Sequence, residues 1–439
     1  NGTFVLMGLR VKGWQNASMA SIRHALAPAL LLATLAVTPA VAQEEAVELP
    51  EGFSQKMADR VTEVIEAVPP IRRLPAAESV AYEVVDSEAF LARLQDKLRE
   101  DYPAEYIEAE ENAFKRLGLL GPDQDLEKLT LKLYDQQALA AYEPETKTFS
   151  IIGPVKKIGP TEKIIVAHEY GHALQDQAFD LAAFYDEDPD AADRIWARAA
   201  LVEGDATAMM YDWAARELKL SDLLSVSAQA LSQQDANKLN RLPDILTRPL
   251  EFAYIDGYAF VNALRGQGDW DAVDAAFADP PASTEQILHP ELYPKEEPVR
   301  IELPDVAAEL GSGWTASYEQ TMGEMQTHVW LADGKKAQSL FPALPAQLPN
   351  SEAAAGWGGD RLASLDGPDG AWAVVWQTDW DSKVDQKEFR STARKVMKDL
   401  PGAHSATNAD IAGGLSSPVL VLVADSDATL GDLEEALGI

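Results

Sequence analysis

Two histidines four residues apart, His168 and His172, constrain this chain more than any other feature. They stand in the stretch AHEYGHALQD, within the apolar run EKIIVAHEYGHALQDQAF, whose spacing predicts a helix. On a helix, residues four apart lie on one face, so both imidazoles can point towards the same ion. Glu169 would then stand beside that ion. Because the chain has only six histidines, chance pairing is a poor explanation of this pattern.

The composition limits which groups could complete such a site. The chain has no cysteine, which excludes disulfides, thiolate zinc sites and cysteine nucleophiles. Any bound metal must therefore use histidine, aspartate, glutamate or carbonyl oxygens. The formal net charge of −34 makes nucleic acid and anionic lipid poor partners. We interpret the acidity as a source of solubility, and we expect no nucleic-acid partner.

A third metal ligand is predicted in the stretch ALVEGDATAMM. Glu203 stands there among apolar neighbours on a separate predicted helix, where a carboxylate is costly to bury without a partner. Together with His168 and His172 it would hold one Zn²⁺ ion and leave a fourth position open for water. Glu169 could take a proton from that water. Asp205 is a candidate to hydrogen-bond the ring N–H of a ligand histidine.

The pattern His168-Glu169-x-x-His172 followed by a helix-borne Glu203 resembles the gluzincin group of zinc metallopeptidases. The stretch from about residue 130 to 295 is similar to one branch of bacterial metallopeptidases, through the segments YEPETKTF, HEYGHALQDQAFDL, RAALVEGDATAMMYDW and DPPASTEQILHPELY. The resemblance implies a zincin-like catalytic domain that hydrolyses peptide bonds with Glu169 as general base. It also implies that the strand near KTFSII is the sheet edge along which an extended peptide aligns.

The same resemblance implies a hydrogen-bond donor for the oxyanion, downstream of the metal ligands. Tyr254 is the first candidate, because Tyr254-x-x-Gly257 matches the Tyr-x-x-Gly pattern of aminopeptidase-like gluzincins. His289 in EQILHP is the second, and either group could donate to a tetrahedral intermediate. The chain lacks the motif with which those aminopeptidases grip a substrate amino terminus, so endopeptidase and exopeptidase action both stay open. His328 and His404 are expected to be ordinary surface or packing residues.

The N-terminal region predicts export. The segment MASIRHALAPALLLATLAVTPAVAQ begins at Met19, has a short apolar core, and closes with Ala40-Val41-Ala42 before Gln43, a pattern that signal peptidase accepts. We therefore expect a periplasmic or secreted protein with no stable membrane insertion after cleavage. The alternative is an uncleaved membrane anchor, although the apolar stretch is short for a spanning helix.

The periodicity along the chain predicts an α+β protein. We divide it into upstream residues and signal peptide (1–42), a mostly helical catalytic domain with a small sheet (43–340), and a small C-terminal α/β domain of unknown role (341–439). LTLKLYD, ALAAY and KTFSII are predicted strands, the last two joined by a hairpin turn, and Thr161 is the predicted N-cap of the histidine helix. WTASYEQTMGEMQTHVWLA is predicted to be helical. AWAVVWQT and PVLVLVA are predicted strands on either side of the helix DQKEFRSTARKVMKDL.

These features together predict an exported zinc metallopeptidase that acts on a peptide or protein substrate. Two alternatives stay open. One is a catalytically inactive zinc protein that binds partners, although a purely structural site has no use for Glu169. The other is a zinc hydrolase of a different bond, such as a cell-wall amide.

Overall fold

The computed structural model describes residues 53–137, 140–184, 191–232, 242–331 and 351–439. The predicted signal peptide and the upstream residues lie outside these ranges. Within the described ranges, no helix is both long enough and apolar enough to cross a bilayer.

Helices form most of the chain before residue 331. They are α1 (Gln55–Ala67), α2 (Pro69–Arg72), α3 (Ser87–Asp101), α4 (Ala104–Arg116), α5 (Leu126–Gln137), α6 (Pro160–Phe179), α7 (Leu181–Phe184), α8 (Ala192–Glu217), α9 (Leu220–Ser232), α10 (Asp244–Ala278), α11 (Thr284–Leu288), α12 (Val306–Leu310) and α13 (Gly323–Leu331). The long segment α10 is interrupted at Gly268 and Asp269, where the backbone leaves helical geometry. Helices α6, α8 and α10 share one hydrophobic core.

A three-stranded sheet precedes the histidine helix. Its strands β1 (Ala81–Val85), β2 (Ala140–Glu143) and β3 (Thr148–Ile152) lie in the order β1-β3-β2. Strands β2 and β3 form the predicted antiparallel hairpin, while β1 pairs with β3 in parallel. The strand containing KTFSII is therefore central rather than at the edge, and β2 is the edge strand that packs on α6.

The C-terminal region is built on a five-stranded antiparallel sheet. Its remaining elements are β4 (Thr315–Gln320), β5 (Trp357–Asp366), β6 (Trp372–Trp380), α14 (Lys383–Val396), β7 (Ala403–Thr407), β8 (Val419–Ala424) and α15 (Asp427–Ala436). The strand order is β4-β5-β6-β8-β7, with β6 and β8 fully buried over most of their length. Helix α4 packs against this sheet, where Arg116 donates to Ser364 Oγ at 2.6 Å.

The structure confirms the predicted α+β class, the β2–β3 hairpin, and the strand–helix–strand pattern of the C-terminal region. Strand β4 lies before the predicted domain boundary at residue 341, yet it pairs directly with β5. The sheet therefore begins earlier in the chain than the predicted C-terminal domain. The residues from 341 to 350 in the predicted boundary segment lie outside the described ranges.

Three local predictions were wrong. LTLKLYD belongs to helix α5, because Leu126 and Leu133 are both buried at helical spacing and outweigh the alternating pattern. WTASYEQ forms β4, where pairing with β5 buries alternate side chains, and the helix starts only at Gly323. Helix α6 begins one residue before Thr161, with Gly159 as the N-cap.

Candidate metal centre

Helix α6 begins at a well-defined cap. Pro160 occupies the first helical position, where its missing N–H costs nothing, and the Glu162 carboxylate accepts from the backbone N–H of Gly159 at 2.8 Å. From Val166 to Asp176 every residue of α6 is buried. The helix therefore carries its two histidines through the centre of the protein rather than across its surface.

The structure brings His168, His172 and Glu203 into one buried group. Nε2 of His168 and Nε2 of His172 lie 3.1 Å apart, and Oε2 of Glu203 lies 3.2 Å from the first and 3.6 Å from the second. One ligand atom from each residue lies within 4.8 Å of the others. Two imidazole nitrogens and one carboxylate oxygen that converge in this way can bind a metal ion.

Glycines set the spacing of the three helices that meet here. A Cβ at Gly171 of α6 would lie 2.5 Å from Cε of Met209 on α8. A Cβ at Gly204 would lie 2.2 Å from the carbonyl oxygen of Gly257 on α10, and a Cβ at Gly257 would lie 2.1 Å from that of Ala200. The close crossing of α8 and α10 explains the glycine of the predicted Tyr-x-x-Gly pattern. That glycine allows two helix backbones to touch.

The charges in the site suit a cation. Burial opposes ionisation of Glu203, but attraction from His172 and His168 outweighs it and lowers the pKa of Glu203 to about 2. For His168, burial is the largest influence and lowers the pKa, which favours the neutral ring that a metal requires. Burial opposes protonation of His172, but attraction to Glu203 and Glu169, together with the bond to Gln175, outweighs burial and raises the pKa of His172.

Glu169 is fully buried beside this group, and neither carboxylate oxygen has a hydrogen-bond partner among the described residues. Burial raises its pKa to about 8, against the attraction of His172. A buried carboxyl group without a partner is costly unless another species occupies the space next to it. A carboxyl group whose pKa is raised towards neutrality is also suited to accept a proton during catalysis.

The rest of the AHEYGHALQD stretch supports the site. Gln175 Oε1 lies 2.8 Å from His172 Nδ1, and Gln175 Nε2 donates to Oδ2 of Asp205 at 2.7 Å. The predicted role of Asp205 is thus indirect, because it reaches the histidine through Gln175. Asp176 Oδ2 accepts from the Tyr142 hydroxyl at 2.8 Å and from Lys147 Nζ at 2.6 Å, which fastens the β2–β3 hairpin to α6.

Two tyrosines approach the metal group. The ring of Tyr254, on α10, stacks on His168 with ring centroids 5.6 Å apart. Tyr134, on α5, was not predicted. Burial raises its pKa to about 12 and the Glu203 charge adds to the shift, so this hydroxyl stays protonated close to the carboxylate. No sequence signal marks Tyr134, because it stands in a segment that was predicted to be a strand.

The structure does not bring His289 to the metal group. Its Nε2 lies 3.1 Å from Oε1 of Glu324, on α13, and the same oxygen lies 3.0 Å from Nε2 of His328. His289 is the C-cap residue of helix α11. The Thr284 hydroxyl of this helix donates a hydrogen bond to Asp193, in the first turn of α8, at 2.5 Å. Asp193 is ten residues before Glu203, or about 15 Å along the helix.

The donor set of His168, His172 and Glu203 fits zinc. Two neutral imidazoles and one carboxylate are a known ligand set for catalytic zinc, which keeps its fourth position open. Within the described ranges, Oε2 of Glu203 accepts no well-aligned hydrogen bond, as expected of an oxygen that faces a cation. Softer metals that prefer thiolate are disfavoured, since the chain has no cysteine.

Comparison with known proteins gives a family match in the C-terminal region. A family described as "Domain of unknown function (DUF8575)" matches residues 312–429, which contain the five-stranded sheet. None of the curated proteins matches the chain. One solved structure, described as "a putative hydrolase with a novel fold from Chloroflexus aurantiacus", is 18% identical over 54% of this chain and 87% of its own, with a TM-score of 0.35. Residues 312–429 are thus similar to a domain family, and His168, His172 and Glu203 lie outside the matched range.

Proposed function

We propose that the protein is an exported zinc metallopeptidase that hydrolyses peptide bonds. One observation carries the proposal: buried His168, His172 and Glu203 converge within 4.8 Å, beside a buried Glu169 whose carboxyl oxygens bond to none of the residues that the structure describes. A purely structural zinc site is closed by its ligands and needs no free carboxylate next to it.

The residues of the proposed site have different chemical roles. Zinc held by the three ligands would lower the pKa of a water in its open position to about 7 and polarise a carbonyl oxygen. Glu169 follows His168 directly on α6, so it can accept the proton of that water and later return it to the leaving amine. Burial raises the pKa of Glu169 to about 8, and a bound cation would lower this pKa and favour the carboxylate that accepts the proton.

The surroundings suit a peptide substrate. Strand β2 lies at the edge of its sheet and packs on α6, the helix that carries Glu169. An extended peptide could add to such an edge through main-chain hydrogen bonds. Tyr254 is the preferred donor to the oxyanion, since its ring already stacks on His168. Tyr134, whose hydroxyl is influenced by the Glu203 charge, is the second candidate, and His289, which pairs with Glu324, is the third.

Two further features support the proposal from the sequence alone. The gluzincin resemblance through the HEYGH stretch and Glu203 favours peptides over other amides. The predicted signal peptide from Met19 to Ala42 indicates that the substrate lies outside the cytoplasm. N-terminal sequencing of the protein from the producing cell should give a mature chain that begins at Gln43, and a chain that still begins at Met19 would contradict export with cleavage.

The test is hydrolysis of an unstructured protein by the purified protein, with metal content measured in the same preparation. We expect about one zinc per chain, cleavage that stops after treatment with a chelator, and recovery when zinc is added back. Mass spectrometry of the fragments distinguishes cleavage within the chain from cleavage at its ends. A parallel incubation with purified peptidoglycan separates peptide hydrolysis from attack on a cell-wall amide. Zinc binding without cleavage of any substrate would contradict the proposed activity.

A further inference from the structure

A continuous line of buried hydrogen bonds links His172 to an arginine from the N-terminal part of the chain. His172 Nδ1 lies 2.8 Å from Gln175 Oε1, and Gln175 Nε2 donates to Asp205 Oδ2 at 2.7 Å. The other oxygen of Asp205 accepts from Arg72 Nε at 2.6 Å. The exposed fractions of the four residues are 0%, 1%, 1% and 1%, so water does not compete for these bonds.

The contacts of Gln175 determine which way its amide points. Its nitrogen donates to the carbonyl oxygen of Val202 at 2.9 Å as well as to Asp205, and both of these groups can only accept. The amide oxygen must therefore face His172, and the hydrogen on the ring must be on Nδ1. Nε2 of His172 faces Glu203 and His168, and in the neutral ring it carries the lone pair that can bind a metal.

Arg72 is the last residue in this line of hydrogen bonds, and further contacts hold its side chain in place. Besides Asp205, its guanidinium donates from Nη2 to Oδ1 of Asp274 at 2.6 Å and lies 4.6 Å from the ring centroid of Trp270. These contacts hold the guanidinium in one place, and its charge balances the buried carboxylate of Asp205. Arg72 stands on the short helix α2, well before the stretch that resembles metallopeptidases.

We propose that Arg72 is a positioning residue for the metal ligand His172. Acting through Asp205 and Gln175, it fixes the Nδ1–H form of the ring and its orientation, so that Nε2 is ready for the metal. The proposal rests on the metal site of the proposed function. A neutral amide, rather than a carboxylate, touches the ring. The site thus gains a defined tautomer without another negative charge beside Glu203 and Glu169.

The first test observes the tautomer directly in the wild-type protein. Nitrogen-15 NMR of the histidine rings, in zinc-free and zinc-loaded protein, should show a slowly exchanging hydrogen on Nδ1 of His172. Gln175→Leu removes the acceptor, and that signal should then exchange faster or disappear. A wild-type ring with its only hydrogen on Nε2, or an Nδ1–H signal unchanged in Gln175→Leu, would overturn the proposal.

The second test measures zinc affinity by competition with a chelator. Gln175→Leu and Arg72→Lys should each weaken zinc binding by about 10- to 100-fold, the usual cost of losing an outer hydrogen-bond partner of a ligand. Lysine keeps the charge but cannot hold Asp205 and Asp274 together through a planar fork. Arg72→Lys is included because it preserves the buried ion pair if Gln175→Leu does not fold.

Arg73→Lys is the matched control. Arg73 is the next residue, but its side chain is 56% exposed and pairs with Asp269, itself 48% exposed. We expect its zinc affinity to stay within about twofold of wild type, as for an exposed ion pair. Equal affinities for Arg72→Lys, Arg73→Lys and wild type would overturn the proposal. Failure of the proposed function can be distinguished from failure of this proposal. If wild type binds zinc but cleaves no substrate, the comparison of zinc affinities still holds. If wild type binds no zinc, the NMR spectrum still shows whether Nδ1 of His172 carries the hydrogen.

Discussion

Two groups in this protein have the same composition, two histidines and one glutamate, but only one has the geometry of a metal site. In the first, the ligand atoms of His168, His172 and Glu203 all lie within 4.8 Å of one another. In the second, which we call the Glu324 group, one oxygen of Glu324 lies between the rings of His289 and His328. Among the described residues, the ligand atoms of the Glu324 group do not all lie within 4.8 Å of one another.

The hydrogen-bond partner of Nδ1, the ring nitrogen that faces away from the carboxylate, explains the difference between the two groups. In His172, Nδ1 faces an amide oxygen and carries the hydrogen, which leaves Nε2 free to bind a metal. In His328, Nδ1 accepts from the backbone N–H of Ser351 at 2.9 Å, so the hydrogen is on Nε2 and is donated to Glu324. The same residue types thus give a metal site or a hydrogen-bonded network, depending on a neighbour outside the group.

Removing the glutamate from each group is the strongest test of this comparison. Glu203→Ala should abolish stoichiometric zinc binding, because it removes one of three ligands, a greater loss than the roughly 100-fold that an outer partner costs. Glu324→Ala should keep wild-type zinc content. Both are measured by metal analysis after dialysis. Equal loss of zinc in the two variants would show that the groups do not differ as described.

The two tyrosines near the metal group give the next largest contrast. Tyr254→Phe should lower kcat by about 10²- to 10³-fold, the usual cost of losing an oxyanion donor, with zinc content unchanged. Tyr134→Phe should lower kcat by less than about 10-fold. The measurement is steady-state hydrolysis by zinc-loaded protein. The reverse order of effects would make Tyr134 the donor.

We expect the close crossing of α8 and α10 to affect both the stability of the fold and zinc binding by His168, His172 and Glu203. Gly257→Ala would place a methyl group against the Ala200 backbone, and we expect a loss of at least about 1–3 kcal/mol in the free energy of unfolding, together with weaker zinc binding. Gly266 lies on the same helix, and apart from that helix's own backbone and the adjacent residues no described atom lies within 4 Å of a Cβ placed there, so Gly266→Ala should gain up to about 1 kcal/mol. Chemical denaturation compares the two. Equal stability of both variants would contradict the crossing.

The smallest expected effect is a pH dependence at the Glu324 group. The bond to Glu324 raises the pKa of His289, opposed by partial burial and aided by Glu291 and Asp381. A raised pKa means that the protonated ring stabilises the fold below its ordinary value of about 6.5, and that this stabilisation is lost as pH rises through the folded value. The difference in Tm between wild type and His289→Gln should therefore shrink with rising pH. If the difference does not shrink, or does so equally in a Glu324→Gln background, the assignment is wrong.

The sequence was informative where a signal is local. The spacing of His168 and His172, and the apolar period around them, predicted helix α6. The turn between ALAAY and KTFSII predicted the β2–β3 hairpin. Both depend on residues a few positions apart, so the chain itself carries the information.

The sequence was uninformative where long-range contacts decide. Strand β4 becomes extended because β5, some forty residues later, pairs with it. Asp205 reaches His172 only through Gln175, and Arg72 reaches Asp205 across a separation of 133 residues. Gln175 alone could have been anticipated, because it stands three residues after His172 on the same helix.

The central claim is that His168, His172 and Glu203 hold zinc while Glu169 acts on the water. The most direct measurement is zinc content and hydrolysis rate in wild type and in Glu169→Gln, which keeps the shape but removes the base. We predict about one zinc per chain in both proteins, and a hydrolysis rate lower by about 10²- to 10⁴-fold in the variant. Full zinc with an unchanged rate in Glu169→Gln, or no zinc in the wild type, would contradict the account.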